Sequence, residues 1–162
     1  MQQKRTFANN SMKALIQRVS KGRVLVDGRM TGEIGPGFVV FLGVKQGDTE
    51  NDAKYLAEKT AALRIFPDAN DRMNLSIIEA KGSVLVISQF TLHADTRKGN
   101  RPSFIMAAAA EEARHLYEFY IDSLKRILGE DKVANGTFQA KMQVEIFNNG
   151  PVTIELKSRN EV

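Results

Sequence analysis

Cysteine is absent from this 162-residue chain, which removes disulfides, thiolate nucleophiles and cysteine-ligated metals from consideration. Histidine is nearly absent too. His93 and His115 are the only two, too few for a multi-histidine metal centre. Long apolar runs are also missing: the longest, Phe38 to Val44 and Phe104 to Ala110, fall far short of the ~20 residues that span a bilayer. The first eleven residues, Met1 to Ser11, are polar and lack the apolar segment of a secretory signal. A soluble, cytoplasmic protein with no membrane contact and no metal is therefore expected.

What is present fits one domain with a sizeable core. Hydrophobic residues make up 43% and charged residues 26%, ordinary values for a globular protein. Met12 opens the patterned sequence, so residues 1–11 read as a disordered N-terminal extension (a leader, an upstream start or a remnant of cloning) and 12–162 as a single domain. The net charge of +4 is a modest excess, and its distribution matters more than its sum. Arg97, Lys98 and Arg101 fall within five positions, interleaved with Gly99 and Asn100. They form either a solvated loop or a phosphate-contacting one, and three phosphate contacts would give a log–log salt slope of roughly −2 to −3.

Periodicity lays out the elements. Lys13 to Val19 and Arg23 to Val26 read as short strands joined by a Ser20–Gly22 turn, with Arg29 to Ile34 pairing next. Gly35-Pro36-Gly37 breaks the chain before a buried strand, Phe38 to Val44. Asp48 and Thr49 are N-cap candidates for a helix reaching about Ile65, since Ala53, Leu56, Ala57, Thr60 and Leu63 follow at helical spacing. Pro67 to Asp71 is a loop and Ser83 to Phe90 a central strand. Ser103 is placed to cap a short helical turn. A second helix is predicted from about Ala109 to Leu128, with Leu116, Phe119, Tyr120, Leu124 and Ile127 inward and Gly129 ending it. Two further strands, Met142 to Ile146 and Val152 to Leu156, flank Asn148–Pro151. The expected class is α+β: a single domain of mixed and antiparallel sheet with two main helices packed on one face, layered β/β/α and barrel-like.

Two segments carry chemistry. In Ser88-Gln89-Phe90-Thr91-Leu92, a strand ending can leave the amides of Phe90 and Thr91 unpaired and aimed at a ligand. Such donors stabilise a developing oxyanion by roughly 3 kcal/mol each. The plainer alternative makes them ladder amides in an ordinary strand. A Thr91–His93 nucleophile–base pair is conceivable, but side chains two apart on one strand point in parallel and do not converge. His115, on a helix, reads as a surface or partly packed residue. The second segment, Asn148-Asn149-Gly150-Pro151-Val152-Thr153, reads most simply as a hairpin turn at Asn149-Gly150. A trans Gly150–Pro151 bond is expected there, since only about 5–6% of X–Pro bonds are cis.

Together, in this order, the two segments resemble the paired motifs of the D-aminoacyl-tRNA deacylase (D-tyrosyl-tRNA deacylase) family. The likeness extends over nearly the whole chain from Met12. It includes Met12 to Val19, Gly32 to Gly35, Leu63 to Phe66, Met73-Asn74 with Ser76, Asp95 to Phe104 and Lys141 to Glu145. Asn149 stands where the family often has Asp. A sister family that edits a different mischarged tRNA has a Pro-Gln-Ala-Thr-Leu type first motif; Ser88 and Phe90 place this chain with the D-specific group.

The resemblance implies a tRNA-editing ester hydrolase that needs neither metal nor cofactor and works as a homodimer with two composite sites. Ser88, Gln89, Phe90 and Thr91 would line the catalytic pocket for the terminal adenosine and its amino acid, with the Phe90 amide, aided by that of Thr91, on the ester carbonyl. Gly150 and Pro151, through a cis peptide inserted from the partner subunit, would select chirality. Arg18 would brace that loop, Met142 would form a pocket wall, and Asn148, Arg97, Lys98 and Arg101 would support substrate or tRNA binding. Water, assisted by the ribose 2′-hydroxyl, would attack the ester; L-aminoacyl-tRNA would be rejected and glycyl-tRNA admitted. The alternative is a non-catalytic tRNA- or RNA-binding module on the same scaffold, using the Arg97–Arg101 loop.

Overall fold

A computed structural model describes residues 11–159; the expected extension lies outside them except for Ser11. Ser11 is buried, and the Met12 amide beside it donates to Ser158 Oγ at 3.0 Å. Strand β1 then runs unbroken from Lys13 to Val26. The predicted Ser20–Gly22 turn does not form, because Lys21 and Gly22 stay paired with Phe147 and Ile146 of the last strand. The polar residues there mark a register irregularity, not a reversal.

Along the chain follow β2 (Arg29–Ile34), β3 (Gly37–Gly43), α1 (Glu50–Ala62), β4 (Phe66–Pro67), β5 (Met73–Leu75), β6 (Ser83–Ser88), a 3-10 helix (Phe90–His93), α2 (Ala110–Leu128), a second short 3-10 helix (Glu130–Lys132), β7 (Val133–Asn135) and β8 (Gln143–Lys157). Helix α1 begins as its sequence dictates: Thr49 and Asp52 form a capping box. Ser103 caps no helix; it forms a two-residue antiparallel bridge with Asp95, closing the loop between them.

The main sheet has the order β2-β1-β3-β6-β7, and β8 pairs with β1 as well. The β3–β6 and β6–β7 pairs are parallel, while β1 is antiparallel to β2, β3 and β8. The path curls until its ends meet. A Cβ on Gly32 of β2 would lie 2.8 Å from the Asn135 carbonyl of β7, so only a glycine permits that approach. The outcome is a nearly closed, barrel-like sheet.

Strand alternation then divides the core in two. Phe38, Val40, Leu42, Val84 and Val86 face the helices and pack with Ala53, Leu56, Tyr120 and Leu124. Val39, Leu85 and Ile87 point the other way, joining Val19, Val24 and Ile34 inside the curl. Burial on both faces explains why β3 and β6 read as continuous apolar runs. On α2 the buried stripe is Leu116, Tyr117, Tyr120, Ile121 and Leu124. Ile127, predicted inward, is 39% exposed, and Phe119 is partly buried at the margin. The stripe is rotated to take in Tyr117, whose hydroxyl donates to the Val86 carbonyl of β6. His115 sits on the exposed side and binds Glu50 Oε1 of α1 at 2.7 Å.

Candidate active site

The parallel β3–β6 pair ends at Leu42↔Ser88. Gln89 makes one more bond, its amide donating to the Leu42 carbonyl at 2.8 Å. The strand stops there, two residues short of the predicted Phe90, and the chain folds into the 3-10 helix. At the start of a helix the first amides have no intrahelical partner. The Leu92 amide reaches the Gln89 carbonyl, yet neither Phe90 nor Thr91 donates its amide to another described backbone group. Two adjacent donors thus stand open at the carboxyl end of a central strand.

Beside them lies a cavity of about 360 Å³. Ser88, Gln89 and Phe90 form one wall and Leu42 with Val44 the floor; Ala107, Ala108, Ala110, Ala113 and Tyr117 contribute from α2 and the approach to it, and Phe138 with Gln139 close the rim. No Asp, Glu, Lys, Arg or His is among these residues. Burial pushes the Tyr117 phenol up to about 12. Its hydroxyl donates to the Val86 carbonyl at 3.1 Å and lies 3.4 Å from that of Gly136, tying β6 to the segment that carries Phe138. The two rings pack at 5.6 Å. The Phe138 rim and Tyr117 were not singled out from sequence. Phe138 stands alone in a polar stretch fifty positions from Ser88, and nothing local announces where such a residue will fold.

Thr91 is exposed and does not line the cavity; its hydroxyl is hydrogen-bonded by the Gln89 side-chain amide. His93 is buried and pairs through Nε2 with the Gly43 carbonyl at 2.8 Å. That bond fixes Nε2–H as the donor, and burial lowers the imidazole pKa, so the ring is neutral and turned into the protein. Phe90 is 56% exposed although apolar, and it meets the half-exposed Phe104 edge to face at 5.1 Å.

The second motif is not a hairpin. The two strands predicted on either side of Asn148–Pro151 are one strand, β8, because both halves pair with β1 in the same direction. Between the pairs Val19↔Asn148 and Gln17↔Thr153, two steps on β1 oppose five on β8, so the surplus residues are thrown outward as a bulge. Gly150 has φ +130 and the Gly150–Pro151 peptide is cis, replacing the trans bond expected from frequencies. Arg18, only 9% exposed, holds the bulge. Its Nε donates to the Asn149 carbonyl at 3.0 Å and its Nη1 to the Ile65 carbonyl at 2.6 Å. A Cβ on Gly150 would lie 2.9 Å from Val152 Cγ2 and 3.1 Å from Arg18 Nη2.

The structure therefore brings Ser88, Gln89 and Phe90 together but places Arg18, Asn148, Gly150 and Pro151 elsewhere in the same chain. No residue of the bulge lines the cavity. Met142 is not in its wall either; it packs into the inner core beside Gly136. Lys98 and Arg101 project from the exposed loop, whereas Arg97 forms a bidentate pair with Asp95 at 2.8 and 2.9 Å and holds that carboxyl well below its usual range. Among the described residues no group of three or more His, Asp or Glu is gathered to hold a metal ion, and no helix is long and apolar enough to cross a membrane.

Residues 15–157 match the profile of the family described as D-Tyr-tRNA(Tyr) deacylase. A D-aminoacyl-tRNA deacylase of Akkermansia muciniphila is 54% identical over 148 residues, covering 91% of this chain and 98% of that one. A D-aminoacyl-tRNA deacylase of Carboxydothermus hydrogenoformans is 50% identical over 143 residues, 88% and 97% of the two chains. Among solved structures, one described as c-Myc DNA Unwinding Element Binding Protein superimposes with TM-score 0.85 at 36% identity, covering 89% of this chain and 97% of that one. Another, a probable eukaryotic D-amino acid tRNA deacylase, shares the fold with TM-score 0.81 at 16% identity, covering 91% and 99%.

Proposed function

The chain belongs to the D-Tyr-tRNA(Tyr) deacylase family and hydrolyses the ester of D-aminoacyl-tRNA, and from that premise we propose how its two motifs divide the work. The cavity at the end of β6 receives the terminal adenosine and its amino acid, and the Phe90 amide, with that of Thr91, binds the ester carbonyl oxygen. Water adds to the carbonyl carbon and the ester C–O bond breaks, releasing free D-amino acid and tRNA with its hydroxyl restored. The neighbouring ribose 2′-hydroxyl relays the proton. The observation that carries this reading is the pair of unpartnered amides beside a cavity with no ionised side chain. An aminoacyl ester is intrinsically labile, so orientation and oxyanion donors suffice without a protein base or nucleophile.

Chirality is read by the bulge. Because Asn149, Gly150 and Pro151 are exposed and lie outside their own chain's cavity, they reach an active site only from a second copy, which makes the working unit a homodimer with composite sites. The exposed apolar ring of Phe90, which lines the cavity, and that of Phe104 packed against it suit such coverage. Main chain clamped by Arg18 occupies the space an L side chain needs and rejects L-aminoacyl-tRNA. A hydrogen meets no obstacle there, so glycyl-tRNA is admitted, and the reaction takes place in the cytoplasm where charged tRNA is used. Incubating the protein with one D-aminoacyl-tRNA and its L counterpart tests the scheme. Release of the D-amino acid alone is expected. Salt-sensitive tRNA binding without release would mark a non-catalytic RNA module, and equal release from both would remove the stereochemical filter.

A further inference from the structure

Arg18 is held at two points, and the second belongs to neither motif. Its Nε donates to the Asn149 carbonyl of the bulge, and its Nη1 to the Ile65 carbonyl in a buried position. Because a guanidinium is planar and rigid, one plate joins the two carbonyls, and whatever sets the Ile65 carbonyl also aims the plate at Asn149. Ile65 stands at the entrance to the hairpin β4–β5, whose strands form a two-stranded sheet of their own, apart from the main sheet. Strands of two and three residues are too short to keep their shape by ladder bonds alone. Side chains do it instead. Arg64 Nε donates to the Asn74 carbonyl at 2.8 Å and its Nη2 to the Asn74 side-chain oxygen, a fork closed on one residue. Asn74 Nδ2 donates to Asp68 Oδ2 at 3.1 Å, and Asp68 Oδ1 accepts the amides of Asn70 at 2.8 Å and Arg72 at 3.1 Å. The amides of Arg72 and Asn70 hold the Asp68 carboxyl below its usual range, which keeps it an ionised acceptor. On the other side Phe66 is buried, its ring packed on Phe38 of β3 at 5.0 Å. The Ile65 carbonyl is thus fixed between a polar fork on Arg64 and an anchored ring on Phe66.

We propose that Arg64 and Asn74 are positioning residues for chiral selection: by fixing the Ile65 carbonyl they fix Arg18, and through Arg18 the bulge that excludes the L side chain. A filter that works by exclusion depends on where its edge lies, and a displacement of about 1 Å is worth as much as a hundredfold in rate. Leu63 to Phe66 and Met73-Asn74, which line no part of the cavity, gain a task in this way. The inference rests on the bulge being the chiral filter, and its test tells the two apart.

The experiment measures release from one D-aminoacyl-tRNA and its L counterpart by Asn74→Ala and by Arg64→Gln, two changes outside the core. Either should lower the D-over-L rate ratio about fivefold, the order expected for coupling through a hydrogen-bond network. The fall should come from faster L release, with D release retained. A purely structural loss would lower both rates together, and an unchanged ratio overturns the proposal. In an Arg18→Ala background, Asn74→Ala should change the ratio no further; a second fall of about the same size there would route the effect past Arg18 and overturn the proposal too. If Arg18→Ala itself keeps full discrimination, the reading of the bulge fails instead. The Arg18 Nε–H resonance, which reports the bond to Asn149, then decides the brace: faster solvent exchange in Asn74→Ala supports it and unchanged exchange rejects it.

Discussion

Strand β6 stops at Ser88 and leaves two amides without partners, whereas β8 passes through Asn148–Pro151 without stopping and throws its surplus residues outward. Both regions leave main chain exposed, by opposite means. The β6 end exposes donors in an uncharged cavity; the β8 bulge exposes a surface that Arg18 grips from behind through carbonyls. On the proposed reading the working atoms belong to the backbone, and the usual alanine scan would leave such a site running. The informative variants are those that remove an amide or add a Cβ.

The largest effect is expected from Phe90→Pro set against Phe90→Ala. Both lose the ring, but only proline deletes the amide, at a first helical position that tolerates it. Turnover of a D-aminoacyl-tRNA should be roughly 10²–10³-fold lower for the proline variant than for the alanine variant, measured by single-turnover release. Equal rates would leave the amide without a role. Next comes Gly150→Ala, whose added Cβ meets Val152 and the Arg18 guanidinium while φ is held at +130. Displacing the bulge should lower the D-over-L rate ratio by about a hundredfold, with D-ester turnover retained.

Arg18→Ala tests the clamp from the other side. Two carbonyls lose a charged donor at a buried position, which costs about 2–3 kcal/mol and lowers the melting temperature by roughly 4–12 °C; chiral discrimination should fall with it. The smallest effects belong to groups that neither region uses. Thr91→Ala should turn over D-aminoacyl-tRNA within a few-fold of the unaltered protein, whereas total loss with intact folding would restore Thr91 as a nucleophile. pH gives the same contrast. Among the described residues Tyr117 is the sole titratable side chain lining the cavity, and it is raised to about 12; His93 is depressed by burial and faces away from Thr91. The ratio of enzymatic to spontaneous ester hydrolysis should therefore be flat from pH 6 to 8.5. An inflection near 6.5 would implicate a histidine.

How much was legible in the sequence follows the same division. Elements buried on two faces, such as β3 and β6, announce themselves as apolar runs, and Thr49 with Asp52 marks the start of α1. The two-residue β4 and the three-residue β5 and β7 are too short to hold a period. The merger of two predicted strands into β8 was hidden because Asn149-Gly150 serves a turn and a bulge equally well; only the shared partner β1 decides between them. Likewise, Ser88 to Thr91 could be recognised as chemistry, but the break into a 3-10 helix depends on where β3 ends. Residues that arrive at the cavity from α2 and from Phe138 left no trace, since proximity across fifty residues has no local signature.

The central claim is that one chain's cavity is completed by another chain's bulge, and mixed dimers test it most directly. Phe90→Pro protomers supply intact bulges with disabled cavities, and Gly150→Ala protomers supply working cavities with altered bulges. When Gly150→Ala is co-assembled with an excess of Phe90→Pro, the surviving activity should regain the D-over-L preference of the unaltered protein. If that preference stays at the level of Gly150→Ala alone, each cavity is served by its own chain and the composite site is contradicted.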